Sequence, residues 1–206
     1  MKVLMINGSP REKGCTFTAL SEIADALNRQ DIETEIIHIG AKPVRGCLGC
    51  GSCNKTGRCI MEDDVNAIME RLPEFDGFIF GSPVHFAALS GALTSFMDRL
   101  FYAGRHLLVL KPAAGIVSCR RGGATAAFDQ INKYFTISNM PVVSSQYWNM
   151  VHGNSPEEVK QDLEGLQIMR TLGNNMAWLL KSIEAGKAAG VRPPEPEPPA
   201  RTNFIR

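Results

Sequence analysis

The sequence has no long apolar run, no surplus of either charge, and none of the common nucleotide fingerprints. No apolar stretch approaches membrane-spanning length, so no membrane segment and no membrane partner are expected. Net charge is +1, from 22 basic and 21 acidic residues, which excludes a polyanion such as nucleic acid as the expected partner. The opening, Met1-Lys2, four apolar residues and then Asn7-Gly8, is too short for the apolar core of a signal peptide. A cytoplasmic protein is therefore expected. There is no Walker A loop: five residues, not four, separate Gly8 from Gly14, and Cys15 stands where lysine should be. There is no G-x-G-x-x-G. No cysteine is followed by five residues and then arginine, which excludes a tyrosine-phosphatase loop.

What is present starts at Lys2. Val3-Leu4-Met5-Ile6 is a short continuous apolar run, the pattern of a strand buried on both faces of a parallel sheet. Gly8-Ser9-Pro10-Arg11-Glu12-Lys13-Gly14-Cys15-Thr16 follows, and then an amphipathic segment with Phe17, Leu20, Ile23, Ala24 and Leu27 at helical spacing. Strand, glycine-bounded loop and helix start make a phosphate site: backbone N–H groups and the helix dipole face the anion. Ser9 and Thr16 add hydroxyls, and Arg11 adds a planar charged fork. The plainer reading is a βα turn that binds nothing.

Further strands are expected at Thr34–Ile39, Asp76–Phe80, Ala113–Val117 and from Pro141-Val142-Val143 onward. Between them lie a cysteine-bearing loop over 41–59, a short helix capped at Asp63 or Asp64, and helices bearing Leu93/Phe96/Met97/Leu100 and Phe128/Ile131/Phe135. A long helix is expected from Pro156 to Glu184. Strands alternating with helices predict an α/β, flavodoxin-like three-layer sandwich: a five-stranded parallel sheet of order 2-1-3-4-5 with helices on both faces. With 206 residues and 44% hydrophobic content, one domain over 1–190 is expected, followed by a proline-rich tail over 191–206. Phe204 and Ile205 of that tail are candidates to reach a neighbouring subunit.

In such a sheet, ligands sit at the carboxyl ends of the strands beside the switch in strand order. Three loops converge there. The first is 8–16. The second is Ser82-Pro83-Val84-His85-Phe86, stiffened by its proline and suited to lie along a flat heterocycle. The third, Ser118-Cys119-Arg120-Arg121-Gly122-Gly123, leaves room for a ligand and opens the next helix. The duller roles are a packed Phe86, a solvated His85, and surface charge at Arg120 and Arg121. Cys15 and Cys119 read by default as small buried hydrophobes.

The segments GSPREKGCT, GSPVHFAALSGALTSFMDRL and SCRRGG, in this order and spacing, resemble the NAD(P)H-dependent FMN reductase family of flavodoxin-like proteins. The resemblance runs over roughly residues 2–185. It implies bound FMN, with its phosphate on Ser9, Arg11 and Thr16 and with Gly14 and Cys15 of the same loop in the cofactor site. It implies the isoalloxazine ring against Ser82, Pro83, Val84, His85 and Phe86, with Ser118 and Arg120 to Gly123 at its polar edge. Cys15 stands where the family often has Asn, and His85 where it often has Tyr. A homodimer or homotetramer is implied, because flavin sites of the family usually lie at subunit contacts.

Cys47-x2-Cys50-x2-Cys53-x5-Cys59 is the other signal. Three cysteines at two-residue gaps can converge on one small cluster, and a fourth can close its coordination. In a cytoplasmic chain, cysteines are thiols or metal ligands rather than disulfides. The arrangement resembles the iron–sulfur flavoprotein branch of the same superfamily, which implies a [4Fe–4S] cluster. Cluster, zinc and bare thiols all stay open on the residues themselves.

The first reading is an FMN oxidoreductase that takes electrons from NAD(P)H and reduces a small acceptor: a quinone, nitro or azo compound, metal ion or free flavin. The second is an electron carrier with FMN and a cluster, served by a ferredoxin-like donor. A third is a non-enzymatic flavodoxin-like module stapled by zinc. No acid or base is assigned; His85 and His152 are weak candidates.

Overall fold

In the computed structural model, which describes residues 1–200 and 202–204, the apolar runs become one sheet. β1 (Lys2–Asn7) lies at its centre between β2 (Glu33–His38) and β3 (Gly77–Pro83), with β4 (Ala113–Cys119) and β5 (Met150–His152) beyond. Every pairing is parallel and the order is 2-1-3-4-5. This is the flavodoxin-like sheet that the alternation of strands and helices predicts.

Seven α-helices surround it among the described residues. They are α1 (Cys15–Asn28), α2 (Cys53–Thr56), α3 (Asp64–Arg71), α4 (Gly91–Gly104), α5 (Ala124–Ile137), α6 (Pro156–Val159) and α7 (Leu163–Ala188). The two-residue period of β1 sorts its side chains. Val3 and Met5 join the core under α1 and α7, with Ile23, Leu172 and Met176. Leu4 and Ile6 join the core on the other face, with Phe78, Phe80, Phe96, Leu100 and Phe135 from β3, α4 and α5. Gly173 lets α7 approach α1 closely: a Cβ there would stand 2.7 Å from that of Ala26. Arg170 of α7 also pairs with Glu22 of α1 at 2.6 Å.

At the sheet's edge, Arg71 grips Glu35 of β2 through both guanidinium nitrogens, at 2.7 and 2.8 Å. That fork, helped by Lys2, holds the Glu35 carboxyl down to about 2.

Four details differ from the sequence reading. Pro141-Val142-Val143 does not begin β5; Val142 makes a single bridge to Ala113, and pairing resumes at Met150. Pro141 has no N–H for a ladder, and Asn149 bonds the Gly115 carbonyl just before β5 begins. The helix expected over Pro156–Glu184 is broken. The Asp162 carboxylate takes the N–H groups of Gly165 and His152, at 2.9 and 2.6 Å, and so caps a new helix, α7. β3 continues through Gly81-Ser82-Pro83 rather than ending there. The cysteine loop contains one helical turn, α2.

Beyond Gly190 the described residues form no helix or strand and are exposed. Phe204 is 92% exposed, while Ile205, the other residue expected to reach a neighbour, lies outside the described residues together with Arg201 and Arg206. No helix among the described residues is long and apolar enough to cross a membrane.

Candidate functional site

Register brings the strand ends level. Asn7 pairs with His38 and Gly81, Pro83 with Ser118, and Cys119 with His152. The loops that follow β1, β3, β4 and β5 therefore meet at one edge, beside the switch in order at β1.

The first loop is shaped from within. The buried Asn7 side chain accepts the Ser9 N–H at 3.1 Å and donates to the Glu12 carbonyl at 2.9 Å. Ser9 Oγ accepts the Arg11 N–H, and the His38 ring bonds the Ser9 carbonyl at 2.7 Å. Gly40 packs so close that a Cβ would stand 1.9 Å from that carbonyl oxygen. The helix that follows is left open. Gly14 is its N-cap, no side chain caps it, and its first turn holds no acid. By contrast, α3, α4, α6 and α7 are capped by Asp63, Ser90, Ser155 and Asp162. An uncapped start leaves N–H groups and the positive end of the dipole free for an anion.

Around the second loop, Ser82 is fully buried and braces the backbone, accepting the Ser90 N–H at 2.9 Å and donating to the Pro83 carbonyl. Ser90 Oγ donates to the Gly8 carbonyl at 2.7 Å, tying the first two loops together. His85 and Ala88 exchange both backbone bonds, at 2.9 Å, around a tight turn with Phe86 at φ 51° and Ala87 at φ 60°. Phe86 is fully exposed at its tip rather than packed in the core. Ala87 rests on Gly123, whose φ of 86° starts α5 without a side-chain cap.

A cavity of about 260 Å³ opens at this edge. Ser9, Arg11, Cys15, Thr16, Pro83, Val84, His85, Ser118 and Arg120 of the expected residues line it, joined by Pro10, Cys119, Gly153 and Asn154. Gly14, Ser82, Phe86, Arg121, Gly122 and Gly123 do not face it; they frame it. Thr16 and Ser118 share a hydroxyl bond of 2.8 Å across its floor. Burial pushes the Cys15 and Cys119 thiols up, which favours their neutral form. The residue set suits a phosphate with a flat ring: hydroxyls, two exposed guanidiniums, an open helix start and a stiff apolar strip.

The four loop cysteines converge on a second cavity, of about 180 Å³. Cys47, Cys50, Cys53 and Cys59 all line it, with Arg99 and Tyr102 of α4. Their sulfurs form no closed metal-binding set among the described residues. Gly49, Gly51 and Gly57 take left-handed φ of 63°, 68° and 66°, which turns the chain tightly between the thiols. The Gly49 N–H points at Cys47 Sγ, 3.4 Å away, and Arg99 Nε at Cys59 Sγ, 3.3 Å away. Soft thiols with N–H groups aimed at sulfur are the chemistry of iron–sulfur or zinc ligation, so the residues fit such a group.

Several residues here escaped the sequence reading. Asn7, His38, Ser90, Gly153 and Asn154 act through loop geometry that no motif announces. Arg99 and Asn66 do carry a signal: a charged and an amide residue, each on the apolar stripe of a helix.

The fold and the first cavity define a flavodoxin-like α/β protein with a cavity at the carboxyl edge of its sheet. Residues 1–155 match the family described as NADPH-dependent FMN reductase. The chain belongs to that family and is an FMN flavoprotein. An iron–sulfur flavoprotein of Methanocaldococcus jannaschii is 35% identical over 196 residues, covering 89% of this chain and all of that one. A second iron–sulfur flavoprotein of the same organism is 31% identical over 88% of this chain and 98% of its own length. Among solved structures, a flavodoxin from the domain Archaea aligns with a TM-score of 0.62 at 15% identity. It covers 88% of this chain and 99% of that chain, a likeness of fold.

Proposed function

We propose that the chain is an electron-transfer flavoprotein carrying FMN at the carboxyl-edge cavity and a [4Fe–4S] cluster on Cys47, Cys50, Cys53 and Cys59. The observation that carries this is the convergence of all four thiols on one cavity. The full-length likeness to iron–sulfur flavoproteins supports it. Bound FMN supplies both hydride acceptance and single-electron exchange, and a bound cluster supplies single-electron exchange. The chain's own part is to hold and orient. Ser9, Arg11, Thr16 and the open start of α1 grip the phosphate. Pro83, Val84 and His85 support the ring, and Ser118 and Arg120 border its polar edge. The donor is a ferredoxin-like protein, the acceptor a small molecule, and the working form a cytoplasmic homodimer or homotetramer.

A second reading, reduction by NAD(P)H, is favoured by the matched family and by the exposed His85 and Arg120 at the cavity mouth. Protein purified without oxygen separates the two. The cluster reading expects flavin bands, broad visible absorbance and about four irons per chain. Flavin bands with no iron, and flavin bleaching by NAD(P)H, would sink it in favour of the reductase.

A further inference from the structure

Arg99 is the largest fully buried side chain among the described residues, and it does not line the carboxyl-edge cavity. All five of its N–H groups have partners. Nη1 and Nη2 fork onto Asp63 at 2.7 Å each. Nη1 also reaches the Arg45 carbonyl at 3.4 Å, and Nη2 the Met61 carbonyl at 3.2 Å. Nε points at Cys59 Sγ. One side chain on α4 thus ties down both flanks of the cysteine loop.

Arg99 is buried while the Asp63 side chain is 35% exposed, so the pair is half open to water, and such an ion pair adds little stability by itself. What only a guanidinium supplies here is five donors fixed in one plane. Four hold the loop, through Asp63 and the two carbonyls, and the fifth is left for a sulfur. Asp63 is shared: its Oδ1 also accepts the Val65 N–H and so caps α3. α4 itself begins at Ser90, bonded to Gly8 of the phosphate loop. A single rigid helix therefore connects the two cavities.

We propose that Arg99 is the positioning residue of the cysteine site, presetting the Cys59 sulfur for metal and donating an N–H to it once ligated. This rests on the cluster reading above. An N–H bond to a ligating sulfur draws charge from the cluster and favours its reduced state, so removing it lowers the reduction potential.

The test uses the full chain reconstituted with ferrous iron and sulfide under anaerobic conditions. The double variant Arg99→Met/Asp63→Asn removes both charges together and leaves no orphaned ion. Asn keeps an oxygen for the α3 cap. Because the pair is neutral, a shift in potential reports the N–H rather than net charge. Iron retention against a chelator should fall about 10- to 100-fold, the cluster potential should move negative, and FMN affinity should stay as in wild type. Arg99→Lys keeps the charge but not the planar fork, and should fall between.

Wild-type potential and iron retention in the double variant would overturn the proposal. So would full rescue by lysine, or a loss of FMN affinity parallel to the loss of iron, which would make Arg99 a general packing residue. A wild-type chain that takes up no iron overturns the cluster reading and this role together; iron in wild type with unmoved variants overturns this role alone.

Discussion

The carboxyl-edge cavity and the cysteine cavity are built from the same material, glycine-rich loops that follow parallel strands, and are held in opposite ways. Around the first, buried polar side chains fix the loops from inside: Asn7, Ser82 and Ser90 are almost without exposure and bond the loop backbone, Ser90 capping α4 as well. Around the second, Cys47 and Cys50 are exposed, and 43–51 has no helix or strand. That loop is fastened at its flanks, through Arg99 and through Asn66, which bonds the backbone of Cys59 and Met61. The first cavity is set by the chain. The second is fastened at its flanks, and on the cluster reading the bound group supplies the rest of its order.

The comparison breaks first at the phosphate loop. Arg11→Ala with Thr16→Val should weaken FMN binding by about 3–6 kcal/mol, from two contacts of about 1.5–3 kcal/mol each. Flavin-fluorescence titration measures it. Wild-type affinity in the double variant would mean that the phosphate lies elsewhere.

The same substitution in both regions sharpens the contrast. Gly40→Ala would drive a methyl onto the Ser9 carbonyl, so the phosphate loop or β2 must shift. A loss of about 2–3 kcal/mol in unfolding is expected, with FMN affinity falling alongside. At Gly49 no atom stands within 4 Å of an added Cβ, and only the left-handed φ of 63° opposes it. Gly49→Ala should cost about 1 kcal/mol and leave FMN untouched. Equal losses at the two positions would show that both loops are fixed alike.

The smallest effect lies outside both cavities and calibrates them. The folded carboxyl of Glu35 is held near 2, below its ordinary value of 4.5. A depressed acid stabilises the fold above its unfolded pKa and loses that contribution as pH falls through the folded one. The window here is from about pH 4.5 down to about pH 2. Glu35→Gln should lower neutral-pH stability by about 1 kcal/mol and flatten the acid limb in that window. Urea unfolding at several pH values checks it.

The sheet was legible because Val3–Ile6, Phe78–Phe80 and Ala113–Val117 are apolar on both faces and the helices between them keep their stripes. β5 was not legible: Val142-Val143 has the better local propensity, but Pro141 and the Asn149 bond hand the pairing to Met150–His152. The break before α7 was hidden because Asp162 suits a helix surface as well as a cap. At the carboxyl edge the cavity lining at Ser9, Arg11 and Thr16 was readable because two hydroxyls and a guanidinium sit in one glycine-bounded loop after a buried strand. The braces were not, since Ser82 and Ser90 differ from ligand-facing serines only in direction. The cysteine spacing was plain, whereas its anchor Arg99 lies 40 residues from Cys59 along the chain.

The close seat of α7 on α1, opened by Gly173, bears on the order of events during synthesis. β1, the loop after it and α1 leave the ribosome early, but α1 shares its core with α7, which emerges long after. The loop's own braces, Ser82 and Ser90, also lie far downstream of it. Cofactor capture is therefore expected to wait for the late helix. A ribosome-stalled chain lacking α7 carries the entire phosphate motif and still should not retain flavin, so loading follows completion of the sandwich rather than accompanying its growth.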